Sequence, residues 1–292
     1  MMNPFSTSYT SDTPDSILVA EILEGKKSSL NSLIQKHQPF IYNMAWKMLG
    51  DPVKAEDLTQ EALLKIISNL SSFKSESSFR TWAYRIVRNH FLNDQKKPSN
   101  RFADNFEDLG IMLDSSESID ISLEEQESKK DEIREVRLQC LSGMLLCLTK
   151  EQRMIYVIGD IFGADHNIGS EIMELSKDNY RKKLSNARKD LHNFMLNKCG
   201  LVNKANPCRC HKKVTVALEH GMVDAKHLLF NQKEFSTFKK SLEPDIDYLV
   251  DESERLYTEL HRDHSYKTQF AKKNFLEIIL ESPNWRDRLN LN

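Results

Sequence analysis

The sequence predicts an all-α protein. Apolar residues recur at the 3.6-residue spacing of helices along the chain, and no segment shows the sustained alternation of apolar and polar residues that is typical of strands. Only 9 of the 292 residues are glycine, which favours long uninterrupted helices. We expect two small helical domains joined by an acidic linker and followed by a C-terminal helical extension.

Composition sets limits on the class of protein. A hydrophobic fraction of 39% is sufficient for globular cores, and no apolar run approaches the roughly 20 residues needed to span a bilayer. Residues 1–15 lack the basic-then-apolar order of a secretion signal, and we expect them to be a disordered tail. Five cysteines do not indicate a disulfide framework. These features predict a soluble, cytoplasmic protein.

Charge is segregated along the chain although the net charge is only −2. Residues 73–97 contain six Lys or Arg and two acids, and residues 177–190 contain the same numbers. Residues 103–135 contain twelve acids and three bases, most of them in the predicted linker at 98–131. Two basic segments on either side of an acidic linker indicate a protein that contacts nucleic acid at two places.

The first helical domain is predicted over residues 16–97. Within it, Gly50 is typical of a helix end, Asp51 of the cap of the next helix, and Pro52 of that helix's first position. Residues 79–94 form a helix with one apolar side and one polar side. The apolar side carries Ala83, Tyr84, Ile86, Val87 and Phe91, and the polar side carries Trp82, Arg85, Arg88, Asn89 and Asn93.

Trp82 has two interpretations. An indole among arginines stacks well on an unpaired base while the guanidinium groups hold phosphates. The alternative is a tryptophan in the core with solvated arginines beside it.

The second helical domain is predicted over residues 132–198 and reads as helix, turn, helix. Thr149 and Gln152 have the spacing of a capping box, and Gly163 ends the helix that they open. A short helix follows, and Ser176 caps a third helix from Lys177 to about Met195. The apolar back of this third helix carries Tyr180, Leu184, Ala187, Leu191, Phe194 and Met195, and its front carries Arg181, Lys182, Ser185, Asn186, Arg188 and Lys189. Such a front suits a DNA major groove, although a basic solvated face has the same pattern.

Three stretches, taken in order, resemble RNA polymerase sigma factors of the extracytoplasmic-function (ECF) class. Residues 51–66 are similar to the polymerase-binding helix of the class, and residues 73–93, above all Ser78-Phe79-Arg80-Thr81-Trp82, to its loop and helix for the minus-ten promoter element. Residues 184–191 resemble the end of its recognition helix. The resemblance covers about residues 16–198, and the turn before the recognition helix departs from it because the usual glycine is missing between Met173 and Ser176.

The resemblance implies a non-enzymatic protein that binds core RNA polymerase, recognises promoter DNA and helps to melt it. The implied partners are promoter DNA and the large-subunit coiled coil and flap of the polymerase, with an anti-sigma factor or regulation by residues 214–292 as further alternatives. The implied polymerase-binding residues are Asp57, Gln60, Glu61 and Leu64. The implied residues for single-stranded minus-ten DNA are Phe73, Lys74, Ser77, Ser78, Phe79, Arg80, Trp82, Arg85, Arg88 and Asn89. The implied residues for minus-thirty-five duplex are Lys177, Asn179, Arg181, Lys182, Ser185, Arg188 and Lys189.

A competing function is a helix-turn-helix regulator that binds duplex DNA without polymerase. Such a regulator needs neither an acidic docking helix at residues 57–66 nor a pocket for a single strand. An enzyme is disfavoured because the sequence contains no Gly-rich phosphate loop, nucleophile elbow or paired-carboxylate site.

The last third of the chain is explained least. Residues 199–213 form a basic loop in which Cys199, Cys208, Cys210 and His211 supply the right number of ligands for zinc, but with poor spacing. A thiol switch and a structural loop are the alternatives, and no other cofactor is predicted. Residues 214–292 carry apolar residues at helical spacing, and we expect them to pack on one or both helical domains.

Overall fold

The computed structural model describes residues 4–5, 14–94 and 103–229, and these are helical as expected. Within these ranges the only extended pairing is an isolated bridge between Cys199 and Cys208. The helices are α1 (Asp15–Leu23), α2 (Lys27–Leu49), α3 (Pro52–Ser68), α4 (Phe79–Asn93), α5 (Phe106–Ser115), α6 (Leu123–Ser128), α7 (Lys130–Leu146), α8 (Lys150–Tyr156), α9 (His166–Met173), α10 (Lys177–Lys198) and α11 (Cys210–Glu219). A 3₁₀ turn spans Leu70–Ser72, and a π-helical segment, Val157–Ile161, continues α8. No helix in the described part of the chain is long and apolar enough to cross a membrane.

Contacts divide the chain into two compact units. Of the described residues, the amino-terminal unit contains 4–5, 14–94 and 162–180, and within it α9 packs against α4. The carboxy-terminal unit contains the described residues 103–161 and 181–229. Residues 162–180, which the sequence places in the second helical domain, thus group with the first four helices.

The amino-terminal unit is built on α2, which contacts α1, α3 and α4. The apolar side predicted for α4 is largely confirmed, since Ala83, Tyr84, Val87 and Phe91 are buried while Ile86 is half-buried. The predicted boundary between α2 and α3 is also confirmed. Gly50 adopts a left-handed φ of 67°, and the Asp51 carboxylate accepts a hydrogen bond from the Lys54 amide at 3.0 Å.

Asp15 joins α1 to α2 and α4, although the sequence places this residue in a disordered tail. Its carboxylate lies 2.7 Å from Lys36 Nζ and 3.1 Å from both His37 Nε2 and Arg80 Nε. Burial by itself raises the pKa of Asp15, but the hydrogen bonds and charges of His37 and Lys36 outweigh burial and hold this pKa well below its usual range. Burial lowers the pKa of His37. Asp15 is therefore ionised at neutral pH and paired from three sides, as a buried carboxylate must be.

Two arginines of the carboxy-terminal unit make hydrogen bonds to buried groups. Asp160, which is 3% exposed, accepts two hydrogen bonds from Arg188, at 2.8 Å from Nε and 2.6 Å from Nη2. Arg153 is also buried and donates to the carbonyl oxygens of Leu145, Leu146 and Leu148, which closes the end of α7. The predicted capping box of Thr149 and Gln152 is present.

The acidic linker is more ordered than predicted, because it contains α5 and α6. Asn105 caps α5 and Ser122 caps α6, the latter in a capping box with Glu125. Acids in the first turn of each helix interact favourably with the helix dipole. Lys198 of α10 pairs with Asp114, and Lys213 of α11 donates to the carbonyl of Ser116 at 2.6 Å. Caps and neighbouring lysines thus order a segment whose composition alone suggests a tether.

Arg188→Ala should destabilise the protein by about 3 kcal/mol, because it leaves the buried Asp160 carboxylate without its bidentate partner. Lys182 is an exposed cation on the same helix. Lys182→Ala should therefore change the free energy of unfolding by less than about 0.5 kcal/mol. Urea denaturation of the two variants measures the difference. Equal stabilities would mean that the ion pair contributes nothing.

Candidate nucleic-acid interfaces

The first candidate interface is the entrance to α4. Ser78 caps the helix, since its side-chain oxygen accepts a hydrogen bond from the Thr81 amide at 3.1 Å. Ser75 in the preceding loop has a left-handed φ of 58°. The cap and this turn fix where the loop ends and bring Phe73 back against the first turn of α4.

Three aromatic rings meet at this entrance. The ring centroid of Trp82 lies 5.4 Å from that of Phe73 and 5.6 Å from that of Phe79. Phe79 is 4% exposed, whereas Trp82 and Phe73 are half-buried. Phe79 is thus a core residue that supports the loop. Trp82 is neither a core residue nor fully exposed, and it keeps part of its ring surface at the protein surface.

Two arginines predicted to hold phosphate are engaged inside the amino-terminal unit. Arg80 pairs with Asp15 and also donates to the carbonyl of Pro4 at 2.6 Å. Arg88 donates to the Ile172 carbonyl at 3.0 Å and to Glu174 Oε2 at 2.6 Å, so α9 lies against the polar side of α4.

Other residues predicted to contact DNA at the entrance to α4 are at least partly exposed. Lys74, Ser78 and Asn89 are exposed, and Ser77 and Arg85 are half-buried. Asn89 accepts a hydrogen bond from Arg88 through its side-chain oxygen. The amide of Asn89 and the cations of Arg85 and Lys74 remain on the surface of the described chain.

The second candidate surface lies on α3. Ala55, Leu58, Ala62, Leu63, Ile66 and Ile67 are buried and form the inner face of α3. Asp57 and Glu61 are exposed, and Gln60 and Leu64 are half-buried on the same outer side. Glu61 Oε2 lies 3.1 Å from Nε2 of His90, which ties one of these acids to α4. The outer side of α3 is therefore acidic, with an apolar side chain among the acids.

The turn between α9 and α10 shows how this chain replaces the missing glycine. Glu174 takes the left-handed conformation, with φ of 53°. Gly169 of α9 provides the close approach, because a Cβ at this position would lie 2.3 Å from the Tyr180 hydroxyl oxygen. A glycine is thus required inside α9, while the turn itself tolerates a glutamate whose carboxylate binds Arg88.

The third candidate surface is the front of α10. Its predicted apolar back is confirmed, since all six back residues are buried. Lys177, Asn179, Arg181, Lys182, Ser185 and Lys189 are exposed. Arg188 differs from them because it is half-buried and its guanidinium group binds Asp160, a contact that holds α10 in place.

The cysteine-bearing loop pairs Cys199 with Cys208 in an isolated β-bridge, and Cys210 lies near both. Within the described ranges, no three His, Cys, Asp or Glu residues are grouped so as to hold a metal ion, and the zinc set of Cys199, Cys208, Cys210 and His211 does not fit. Burial raises the pKa of the Cys210 thiol to about 12 and also raises that of Cys208, which disfavours a reactive thiol. Arg209 donates to the carbonyl oxygens of Cys208 at 2.9 Å and Lys204 at 2.8 Å. These contacts favour the structural-loop alternative.

Sequence reasoning missed the acids that bind the arginines. Asp15, Asp160 and Glu174 lie 65, 28 and 86 residues from the arginines that they contact. No local pattern links such distant residues, so only the fold reveals these pairs. The capping box at Ser122 and Glu125, in contrast, was readable from its spacing.

Comparison with known proteins gives one family match. The family model for Sigma-70 region 2 matches residues 33–101, which include α3 and α4. The ECF RNA polymerase sigma-E factor of Escherichia coli K12 is 24% identical over 190 residues, covering 61% of this chain and 93% of that protein. The RNA polymerase sigma-H factor of Pseudomonas aeruginosa PAO1 is 25% identical over 178 residues, covering 60% of this chain and 90% of that protein.

Among solved structures, CnrH in complex with the cytosolic domain of CnrY matches with a TM-score of 0.45 and 17% sequence identity. The match covers 62% of this chain and 96% of that chain.

Glu174→Gln should increase the affinity for mixed-sequence single-stranded DNA about two- to five-fold, because it removes the charge of a largely exposed carboxylate that competes with phosphate for Arg88. The substitution keeps the size of the side chain in the left-handed turn. Glu171→Gln is the matched control, since Glu171 is exposed on α9 without contacting Arg88. Fluorescence anisotropy with a labelled oligonucleotide measures both affinities. An equal increase in the control would attribute the effect to net charge alone.

Proposed function

We propose that this chain is a sigma factor of the ECF class, which acts in transcription initiation by binding core polymerase, recognising promoter DNA and helping to melt it. The match of residues 33–101 to Sigma-70 region 2 and the similarity to ECF sigma factors support this proposal. The observation that carries the melting part of the proposal is the half-exposed Trp82 on its aromatic support at the start of the basic helix α4. A plain duplex-binding regulator has no use for such a ring.

Core polymerase is proposed to bind the outer side of α3. Exposed Asp57 and Glu61 offer charge to a basic partner, and Leu64 offers apolar area between them. Such complementary charges raise the association rate and select the partner. The large-subunit coiled coil of the polymerase is the proposed partner, and the flap is proposed to contact the second helical domain.

Single-stranded minus-ten DNA is proposed to bind at the entrance to α4. A base that leaves the duplex loses stacking energy of a few kcal/mol, and stacking on Trp82 offsets part of this loss. Lys74, Arg85 and Asn89 contact the backbone, and Phe79 supports the ring from below. Arg88 and Arg80 join them when phosphate replaces Glu174 and Asp15, and the exposed Glu174 pair is the easier of the two to replace.

The minus-thirty-five duplex is proposed to bind the front of α10. The exposed side chains of Lys177, Arg181, Lys182 and Lys189 reach phosphates, while Asn179 and Ser185 offer groups that hydrogen-bond to base edges. Arg188 contributes by fixing the helix through Asp160.

Run-off transcription with purified core polymerase on fragments of the source genome tests the whole proposal. Specific transcripts that require the protein support it. Binding to duplex fragments without co-elution with core polymerase and without transcripts would instead favour the helix-turn-helix regulator.

Replacing Asp57 and Glu61 together by alanine should weaken core-polymerase binding about five- to thirty-fold, as expected for the loss of two exposed ion pairs. The association rate should fall and its dependence on salt should flatten. The matched control replaces Glu107 and Glu124, two exposed acids outside α3. Surface plasmon resonance at several salt concentrations measures both. If the control weakens binding as much, the α3 surface has no special role.

Trp82→Ala should make the free energy of open-complex formation less favourable by about 1–3 kcal/mol on a promoter found by run-off transcription. Binding to closed duplex, which offers no unpaired base, should change little. Trp82→Phe keeps a ring and should recover part of the loss. Because Trp82 packs on Phe73, thermal unfolding of each variant is the control. Equal losses on duplex and premelted templates would show that the ring only supports the fold.

A further inference from the structure

An apolar groove in the carboxy-terminal unit lacks a described occupant. It has a volume of about 460 Å³ and is lined by Leu109 and Leu113 of α5, Val136 and Cys140 of α7, and Val216 and Ala217 of α11. Pockets of about 300–1,000 Å³ are the usual size for bound groups. None of the proposed contacts with polymerase or DNA uses this groove.

The α7 wall of the groove includes Val136 and Cys140. These two residues belong to a stripe of Ile133, Val136, Cys140, Met144 and Cys147 at helical spacing, in which only Met144 is buried and the others are half-buried. An amphipathic helix normally covers such a stripe with a partner. The partial cover shows that α5 and α11 leave room for one more element.

The chain itself leads to this groove. Met222 and Val223 line it just after α11, and the amide of Leu229 then donates a hydrogen bond at 3.0 Å to buried Glu135, the residue before Val136 on α7. The sequence continues for 63 residues beyond Leu229. The remaining chain therefore departs beside the groove. The 17 residues from Leu229 to Ile246 can reach about 50 Å when extended, twice the length of α7, so the segment that begins at Ile246 can lie anywhere along the groove.

One segment of the remaining sequence has the pattern of a groove-binding helix. Pro244 is typical of a helix start, and the apolar stripe after it follows the i, i+3, i+4, i+7 rule, with small Ser253 in its middle. The stripe consists of Ile246, Leu249, Val250, Ser253, Leu256, Tyr257 and Leu260.

Charge also favours this segment. Residues 243–254 contain six acids and no base. The start of α11 and the residue before it carry Arg209, Lys212 and Lys213, and Lys213 lines the groove. Opposite charges on the two elements favour their approach and set its orientation.

We propose that residues 246–260 bind in this groove as an amphipathic helix of the same chain and clamp the linker helix α5 against α7 and α11. The occupant thus covers the half-buried stripe of α7. The proposal concerns the fold of the carboxy-terminal unit and stands independently of polymerase and promoter binding.

Photo-crosslinking of the full-length protein tests the proposal. Benzoylphenylalanine at position 249, on the apolar stripe, should crosslink within one chain to peptides of α5, α7 or α11. The same residue at position 248, where Tyr248 lies on the opposite side of the predicted helix, should give far less of this product. Crosslinked peptides are identified by mass spectrometry after separation of monomers from dimers.

Alkylation of Cys140, a native residue of the groove, gives a second measurement. Leu249→Asp should expose the groove and increase the rate of N-ethylmaleimide addition to Cys140 several-fold, whereas Tyr248→Asp should leave the rate unchanged. Crosslinks confined to dimers would assign the groove to a second copy and overturn the proposal. Crosslinks from position 249 to other surfaces, or none, would overturn it whatever the alkylation rates are.

Discussion

The amino-terminal unit depends on one buried carboxylate. Asp15 brings together α1, α2 and α4 by binding Lys36, His37 and Arg80. The ring of His37 in turn packs 5.4 Å from Phe79, the core residue beneath Trp82. A single carboxylate thus sets the position of the helix and the aromatic support on which the proposed single-strand surface is built. Its ionised state is secured by its partners, since burial alone would favour the neutral acid.

The arginines of the proposed DNA surfaces fall into two kinds according to the acids that bind them. The side chain of Glu174 is 54% exposed whereas that of Arg88 is 11% exposed, so solvent screens their pair only from the side of the acid. The carboxylate of Asp160 is 4% exposed, and breaking its pair with Arg188 leaves a buried charge. The same residue type therefore pairs with a largely exposed acid at one position and with a buried acid at another.

Helix caps give the acidic linker helical structure that its composition does not predict. Its charge predicts a solvated tether. Asn105 and Ser122 nevertheless open two short helices, and Lys198 and Lys213 bind the carboxyl end of the first of them, α5. The lysines come from α10 and α11, which are far away in sequence, so the order of the linker depends on contacts within the carboxy-terminal unit.

Local sequence patterns predict most of the helices outside the acidic linker, together with several of their caps and buried faces. The Gly50-Asp51-Pro52 junction, the capping box at Thr149 and the buried back of α10 all follow from local rules, because backbone geometry and 3.6-residue periodicity act over a few residues. The three motifs likewise pointed to the sigma-factor family, since each is a short contiguous stretch. Which cations have internal partners, and that Phe79 is buried while Trp82 is half-buried, follows from the tertiary structure alone. The same holds for the finding that no three of the described His, Cys, Asp or Glu residues are grouped so as to hold a metal ion. Those outcomes depend on side chains that meet across 28 to 86 residues of sequence, and the packing of helices, which local patterns do not encode, brings them into contact.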